Sequence, residues 1–250
     1  MTNNEIKLLK SLSQKKYRVK YKKYIIEGLR IVEELFQSNK KPIKIWTTND
    51  FLENNPKIKL KISNFDYEII NEKYFSKILN TNNPQHIMAL LSTDQIESFI
   101  PSNENVLILD NISDPGNMGS LLRSAAWYGI KTVLCSNECV DIYNPKVVRS
   151  SMGAHFYISK ILNEDLLDAI SILKTCKYNI IAATIDGTSY LETNIEDNPY
   201  ALILGSEAHG ITSELYRFID YKISIPSNGQ IESLNVAIAG SIMLDRLTHK

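Results

Sequence analysis

The stretch VLILDNISDPGNMGSLLRSAAWYGIKTVL, residues 106–134, decides the fold class. Val106–Leu109 is an unbroken apolar run. A Pro-Gly turn follows, Met118–Tyr128 carries apolar residues at helical spacing, and Thr132–Leu134 is a second apolar run. Apolar runs without alternation mark strands covered on both faces, so a strand, a helix and a strand in this compass make one crossover unit of a parallel sheet flanked by helices.

The alternation continues toward the C-terminus. Phe156–Ile158, Asn179–Thr184, Ala201–Leu204 and Ile223–Ile225 read as further strands and Asp165–Thr175 as a helix. The last segment, Ser233–Leu247, has Leu234, Val236, Ile238, Ile242, Met243, Leu244 and Leu247 on every side, with Ala237, Ala239, Gly240 and Ser241 small between them. A helix apolar all round is buried, and this one has more faces than one small domain covers, which predicts a homodimer.

Toward the N-terminus the pattern is a smaller α/β unit: strands at Tyr24–Ile26, Ile43–Trp46, Tyr67–Ile70 and Ile87–Leu91, and helices over Gly28–Ser38 and Asn71–Leu79. A polar stretch with one proline, residues 92–104, suits a linker. The expected domains are therefore residues 1–96 and 105–250.

Charge separates the same two parts. Over all 250 residues, 28 Lys+Arg balance 28 Asp+Glu, but residues 1–96 carry 17 basic and 10 acidic side chains, net +7, and residues 97–250 carry 11 and 18, net −7. Lys7 to Lys23 holds eight basic residues in 17 with no acid, with Tyr17 and Tyr21 among them and Tyr24 next in sequence. Cations neutralise phosphates and aromatic rings stack on unpaired bases, so Lys15, Lys16, Arg18, Lys20, Lys22 and Lys23 are candidate RNA contacts. A solvated lysine-rich arm would have the same composition.

Composition excludes other classes. With 44% hydrophobic and 22% charged residues the chain folds. Three cysteines, an odd number, make no disulfide framework, and no paired His or Cys motif completes a metal site, so no metal is expected. No signal pattern and no apolar run of membrane-spanning length occur, which predicts a cytoplasmic protein away from membranes.

In open α/β sheets ligands bind beyond the carboxyl ends of strands, so three loops carry the candidate chemistry. After Leu109 comes a turn opening a helix, with Asn117 as a candidate N-cap and Arg123 six residues on. After Leu204 comes Gly205-Ser-Glu-Ala-His-Gly-Ile211. After Ile225 comes Pro226-Ser-Asn-Gly-Gln-Ile-Glu-Ser-Leu-Asn235, with Ser233 and Asn235 beginning the terminal helix. Each alone could be a capped helix or plain turn. Neither a Walker A loop nor the dinucleotide-binding G-x-G-x-x-G is present, which argues against a nucleotide-dependent oxidoreductase.

In this order the three loops resemble the motifs of the SpoU (TrmH-like) RNA ribose 2′-O-methyltransferases of the SPOUT superfamily, across residues 105–248: N-x-x-x-x-x-R, G-S-E-x-x-G-I and N-G-x-x-E-S-L-N-V-A-x-A. The N-terminal half is similar to that family's substrate-binding domain in Ile25-Ile-Glu-Gly-Leu-Arg-Ile-Val-Glu-Glu34 and Asn83-Pro-Gln-His-Ile-Met-Ala89, with His86 where a glycine is usual. The resemblance implies an α/β fold with a small RNA-binding domain and a parallel-sheet methyltransferase domain closed by a C-terminal trefoil knot. It implies S-adenosylmethionine as cofactor, held by Gly205, Ile225 and Leu234 through backbone and bordered by Thr184. Asn117, Arg123, Glu207, Ser233 and Asn235 match active-site positions, and Arg149 matches a segment lining the RNA side. The implied reaction is 2′-O-methylation of RNA, with ribosomal RNA and guanosine favoured. Transfer RNA, or a non-catalytic RNA-binding protein retaining the fold, is the alternative.

Overall fold

The computed structural model describes residues 1–79, 81, 83–93 and 99–249. The expected linker therefore lies partly outside the described residues. The chain forms two compact units: Met1–Gln95 with Asp141–Phe156, and Ile96–Val140 with Tyr157–Lys250.

In the first unit the elements run α1 (Asn3–Ser11), α2 (Lys15–Tyr21), β1 (Lys23–Glu27), α3 (Leu29–Gln37), β2 (Lys44–Thr47), α4 (Asn49–Asn54), α5 (Pro56–Ile62), β3 (Tyr67–Ile69), α6 (Lys73–Ile78) and β4 (Ile87–Ser92). Thr2 and Glu5 start α1 as a reciprocal capping box. The sheet order is β1-β4-β2-β3; β4 is antiparallel to β1 and β2, and β3 joins β2 in parallel. One face packs Ile26, Val32, Leu35, Ile45 and Ile87, the other Leu9, Leu12, Trp46, Phe75 and Met88, so strand alternation feeds two cores. The turn before β4 places His86 at φ 55°. A histidine thus takes the left-handed conformation that glycine adopts without strain.

The second unit begins with β5 (Val106–Leu109), α7 (Pro115–Trp127) and β6 (Thr132–Cys135). The N-cap of α7 is Asp114, whose carboxylate accepts from the Asn117 N–H at 2.8 Å, with Pro115 opening the first turn. Asn117 is therefore inside the helix, not its cap. Between Asp141 and Phe156 the chain belongs to the first unit and forms α8 (Pro145–Ser151), whose Val148 joins that unit's core. The second unit resumes with β7 (Lys160–Asn163), α9 (Leu166–Thr175), β8 (Asn179–Ser189), β9 (Tyr200–Leu204), β10 (Tyr221–Ser224) and α10 (Val236–Thr248). No strand forms at Phe156–Ile158; Ala154–Phe156 is a 3₁₀ turn and the strand begins at Lys160.

The six strands pair in parallel in the order β10-β8-β9-β5-β6-β7. Leu107, Ile108, Leu202, Ile203, Ile180 and Ile181 are fully buried, as continuous apolar strands require. Helix α10 packs on α7. Gly240 lies at this contact, where a Cβ would fall 2.5 Å from Leu204 Cδ1 and 2.6 Å from Leu121 Cδ2 and would push both side chains aside. No helix among the described residues is long and apolar enough to cross a membrane.

Candidate active site

The loops after β5 and β9 are tied together at their base by Asp110, which is almost fully buried. Its Oδ2 accepts from the Thr212 N–H at 2.7 Å and its Oδ1 from Asn111 Nδ2 at 3.0 Å; Asn111 itself sits at φ 59° and reaches the Thr212 hydroxyl at 3.3 Å. Cys139 supports the loop from below, its thiol donating to the Leu109 carbonyl and accepting from the Ile112 N–H, each at 3.3 Å. Asp110 carries no motif signal of its own. Only a partner 102 residues away in sequence reveals the clamp.

Above it, Gly205 opens a closed turn in which Ser206 and Gly210 exchange backbone hydrogen bonds at 3.0 and 2.9 Å. A Cβ on Gly205 would lie 2.2 Å from the Gly210 carbonyl carbon, so no other residue fits. This turn projects Glu207 toward the start of α10. Glu207 Oε1 accepts three hydrogen bonds: from Asn235 Nδ2 at 2.7 Å, Asn117 Nδ2 at 3.2 Å and the Val236 N–H at 3.2 Å. Asn235 Nδ2 also donates to Asn117 Oδ1 at 2.9 Å, and its own Oδ1 caps α10 through Ala237 and Ile238. A carboxylate at a helix N-terminus is favourably placed against the helix dipole. Asn117 from the first turn of α7, Glu207 from the turn after β9 and Asn235 from the cap of α10 thus share one hydrogen-bonded cluster.

The remaining candidates fall into three groups. Ser233 and Leu234 are exposed in the loop before α10, and Ser233 precedes the cap rather than starting the helix. Arg123 is exposed on α7, with no hydrogen-bond or ion-pair partner for its guanidinium among the described residues. Thr184 lies in a break of register: Ala182 pairs Lys222 but Thr188 pairs Ile223, so residues 183–187 bulge out of the β8–β10 ladder. Ser224 Oγ holds the bulge by donating to the Gly187 carbonyl at 2.8 Å. Thr184 Oγ1 is buried with no hydrogen-bond partner among the described residues. A buried hydroxyl left unpaired is an open donor and acceptor for a ligand. Ile225 is half-buried just beyond β10. A cavity of about 180 Å³ opens elsewhere in this unit, lined by Tyr190, Thr193, Ile223, Arg246 and Leu247 and by none of the site candidates.

In the first unit, Lys15, Lys16, Lys20 and Lys22 are exposed and Lys23 is half-buried. Tyr17 and Tyr21 stack with centroids 6.2 Å apart, and the Lys16 and Lys20 ammoniums lie 4.8 and 5.4 Å from their ring centroids. Arg18 departs from the expectation. It is buried, its guanidinium paired with Asp141 and donating to the Leu12 carbonyl at 2.7 Å, so it fastens α2 and is no surface contact. Arg149, on α8, is partly exposed, with its guanidinium 4.0 Å from the Glu27 carboxylate.

The family model of the SpoU rRNA methylases matches residues 104–245, more than half the chain. The chain belongs to the SpoU rRNA methylase family. Residues 3–89 match the MRM3-like substrate-binding domain, which gives the first unit its own family. The SpoU chain is 29% identical over 247 residues to the 23S rRNA (guanosine(2553)-2′-O)-methyltransferase of Bacillus subtilis, covering 98% of this chain and 96% of that one. It is 26% identical to the mitochondrial rRNA methyltransferase 3 of Homo sapiens, covering 91% of this chain and 68% of the human one. Among solved structures it is similar to the AdoMet-bound rRNA methyltransferase of Sinorhizobium meliloti, with TM-score 0.84, 26% identity, and coverage of 98% of this chain and 94% of that one.

Proposed function

We propose that this SpoU protein transfers a methyl group from S-adenosylmethionine to a ribose 2′-hydroxyl of RNA, ribosomal RNA in preference to transfer RNA and guanosine in preference to other nucleosides. The observation that carries the reading is the Asn117–Glu207–Asn235 cluster, built where three loops after parallel strands converge. The activities printed for the Bacillus subtilis and human relatives support the substrate class.

The residues fit the cofactor. The unpaired Thr184 hydroxyl offers a polar contact, and Gly205, Ile225 and Leu234 offer backbone at the rims of the same loops. When bound, S-adenosylmethionine supplies a sulfonium methyl that needs no metal to be transferred. The protein's own part is to hold the hydroxyl in line and to manage its proton, and positioning accounts for much of such a rate gain. Glu207 fixes Asn117 and Asn235 against each other, which orders the N-terminus of α10 and the loop carrying Ser233. Arg123, exposed and unpaired, is free to meet an RNA phosphate. A guanidinium is a very weak acid, so its favoured role is that of a cation orienting the phosphate and stabilising developing charge on the oxygen, with general base as the competing role.

The exposed lysines and stacked tyrosines of α2 suit phosphate and base contacts. Trp127 on α7 is 84% exposed and Ile238 on α10 is 53% exposed, apolar surface that a homodimer would cover. The C-terminal trefoil knot and a cytoplasmic location belong to the same proposal. Mapping 2′-O-methyl groups in total RNA from cells with and without the gene tests it. Loss of one or a few ribosomal sites is the expected result; an unchanged map would overturn it.

A further inference from the structure

The two faces of the first unit's sheet differ in charge. Helices α1 and α6 pack against each other and cover one face, burying Leu9, Phe75 and Ile78 with Trp46 and Met88. Outward they carry Lys7, Lys10, Lys73 and Lys77, all exposed and none in an ion pair among the described residues. The acids beside them are Glu72, just before α6, and Glu5, which Lys44 already faces at 3.5 Å. The other face is covered by α3, α4 and α5, whose four basic and four acidic residues cancel. Helix α8 adds to that side Lys146 and an Arg149 that already stands beside Glu27.

Spacing gathers the four charges. Lys7 and Lys10 are three residues apart and Lys73 and Lys77 four, so each pair shares one side of its helix. Tyr74, half-buried against the same core, has the Lys73 and Lys77 ammoniums 5.5 and 5.7 Å from its ring centroid. Both lie within cation–π range, so one ring keeps together two like charges that would otherwise swing apart. Cations held together without a counter-charge raise the local potential and favour a polyanion. The face also leads into the basic helix, since only Leu12, Ser13 and Gln14 separate α1 from α2. An anionic membrane would match the charge but needs an apolar helix side as well. Among the described residues no large apolar side chain of α1 or α6 is exposed, which favours RNA.

We propose that α1 and α6 form a second phosphate-binding face that takes the RNA beyond α2, with Lys7, Lys10, Lys73 and Lys77 each meeting the backbone and Tyr74 holding the α6 pair. Such contacts position the RNA and read no sequence. The inference rests on the reading of the chain as an RNA-modifying enzyme.

The test is fluorescence anisotropy of the full chain with a labelled single-stranded oligouridylate over a range of salt. Each phosphate contact contributes about 0.7 to the slope of log affinity against log salt for a single strand. Lys73→Ala/Lys77→Ala should therefore lower the slope by about 1.4 and weaken binding roughly 25-fold at about 0.1 M salt. Lys7→Ala/Lys10→Ala should do the same. The control is Lys57→Ala/Lys59→Ala, an exposed pair on α5 that removes equal charge from the opposite face and should keep the slope within about 0.5 of wild type. All six side chains are exposed, so each variant should fold, which thermal unfolding checks. A wild-type slope in the α1 or the α6 variant overturns the inference. So does an equal fall in the α5 control, which would mean that net charge alone is read, or tighter binding to phosphatidylserine vesicles than to the oligomer. Methylation of total RNA is measured with the same preparations. A chain that methylates RNA while its α1 and α6 variants bind like wild type loses this inference alone; one that neither binds nor methylates RNA loses the proposed function as well.

Discussion

Asn235→Asp is the most discriminating change at the site, because it preserves one role of the side chain and inverts the other. Asp caps a helix as well as Asn does, so the bonds to Ala237 and Ile238 survive. The amide that donates to Glu207 Oε1 at 2.7 Å and to Asn117 Oδ1 at 2.9 Å becomes an acceptor facing two acceptors. Two carboxylates at that separation repel by about 1.5 kcal/mol even at the dielectric of water. Each lost donor adds about 0.5–1 kcal/mol once solvent around the exposed Glu207 is allowed for. The sum is roughly 2.5–3.5 kcal/mol, or about 5–14 °C in melting temperature for a protein of this size. The sign of the pH dependence follows. The folded pair holds a proton more tightly than the unfolded chain does, so the penalty is full near neutral pH and shrinks as pH falls through the carboxylate range. Thermal unfolding at about pH 7.5 and about pH 5 reads it, with Asn235→Ala, which loses the cap but adds no charge, as the pH-independent comparison. An Asn235→Asp protein that melts with wild type at both pH values and methylates RNA at the wild-type rate would refute the cluster.

Arg123→Ala should leave S-adenosylmethionine affinity within a few-fold and lower single-turnover methylation by roughly 10²–10⁴-fold. In Arg123→Lys, residual activity rising toward alkaline pH would mark a base and a flat profile an orienting cation. Gly205→Ala should abolish cofactor binding measured by calorimetry, since the new Cβ would overlap the Gly210 carbonyl carbon at 2.2 Å. Glu68, held at about 2 chiefly by a hydrogen bond from Lys44 at 2.8 Å, contributes stability that is present above its ordinary 4.5 and is lost as pH falls toward 2. Acid titration of Glu68→Gln should therefore show a shallower loss than wild type over that window.

The strands of the second unit were legible because burial on both faces leaves unbroken apolar runs, and all of them except β7 fall within a few residues of the sequence pattern. Strand β7 was not, since only Leu162 of its four residues is buried and the more apolar Phe156–Ile158 lies beside it. Helices α4 and α5 are not legible because each is under two turns long, too short to show a helical period. Loop identity was readable from motif order, but the Asp114 cap and the Asp110 clamp depend on geometry that spacing does not carry. Arg18 shows the limit most plainly: its partner Asp141 lies 123 residues on, in a segment that returns to the first unit, so composition alone counted it as surface charge. For the same reason a cut at residue 96 would strip Val148 and Phe156 of their core.

The central claim is the position of the transferred methyl. Incubating the protein with RNA and methyl-labelled S-adenosylmethionine, then hydrolysing in alkali, separates the possibilities, because a 2′-O-methyl group blocks attack on the adjacent phosphate and leaves that linkage intact. The account predicts label in alkali-resistant dinucleotides, and in few of them. Label recovered in mononucleotides would place the methyl on a base, and together with an absence of label in any resistant dinucleotide would contradict it.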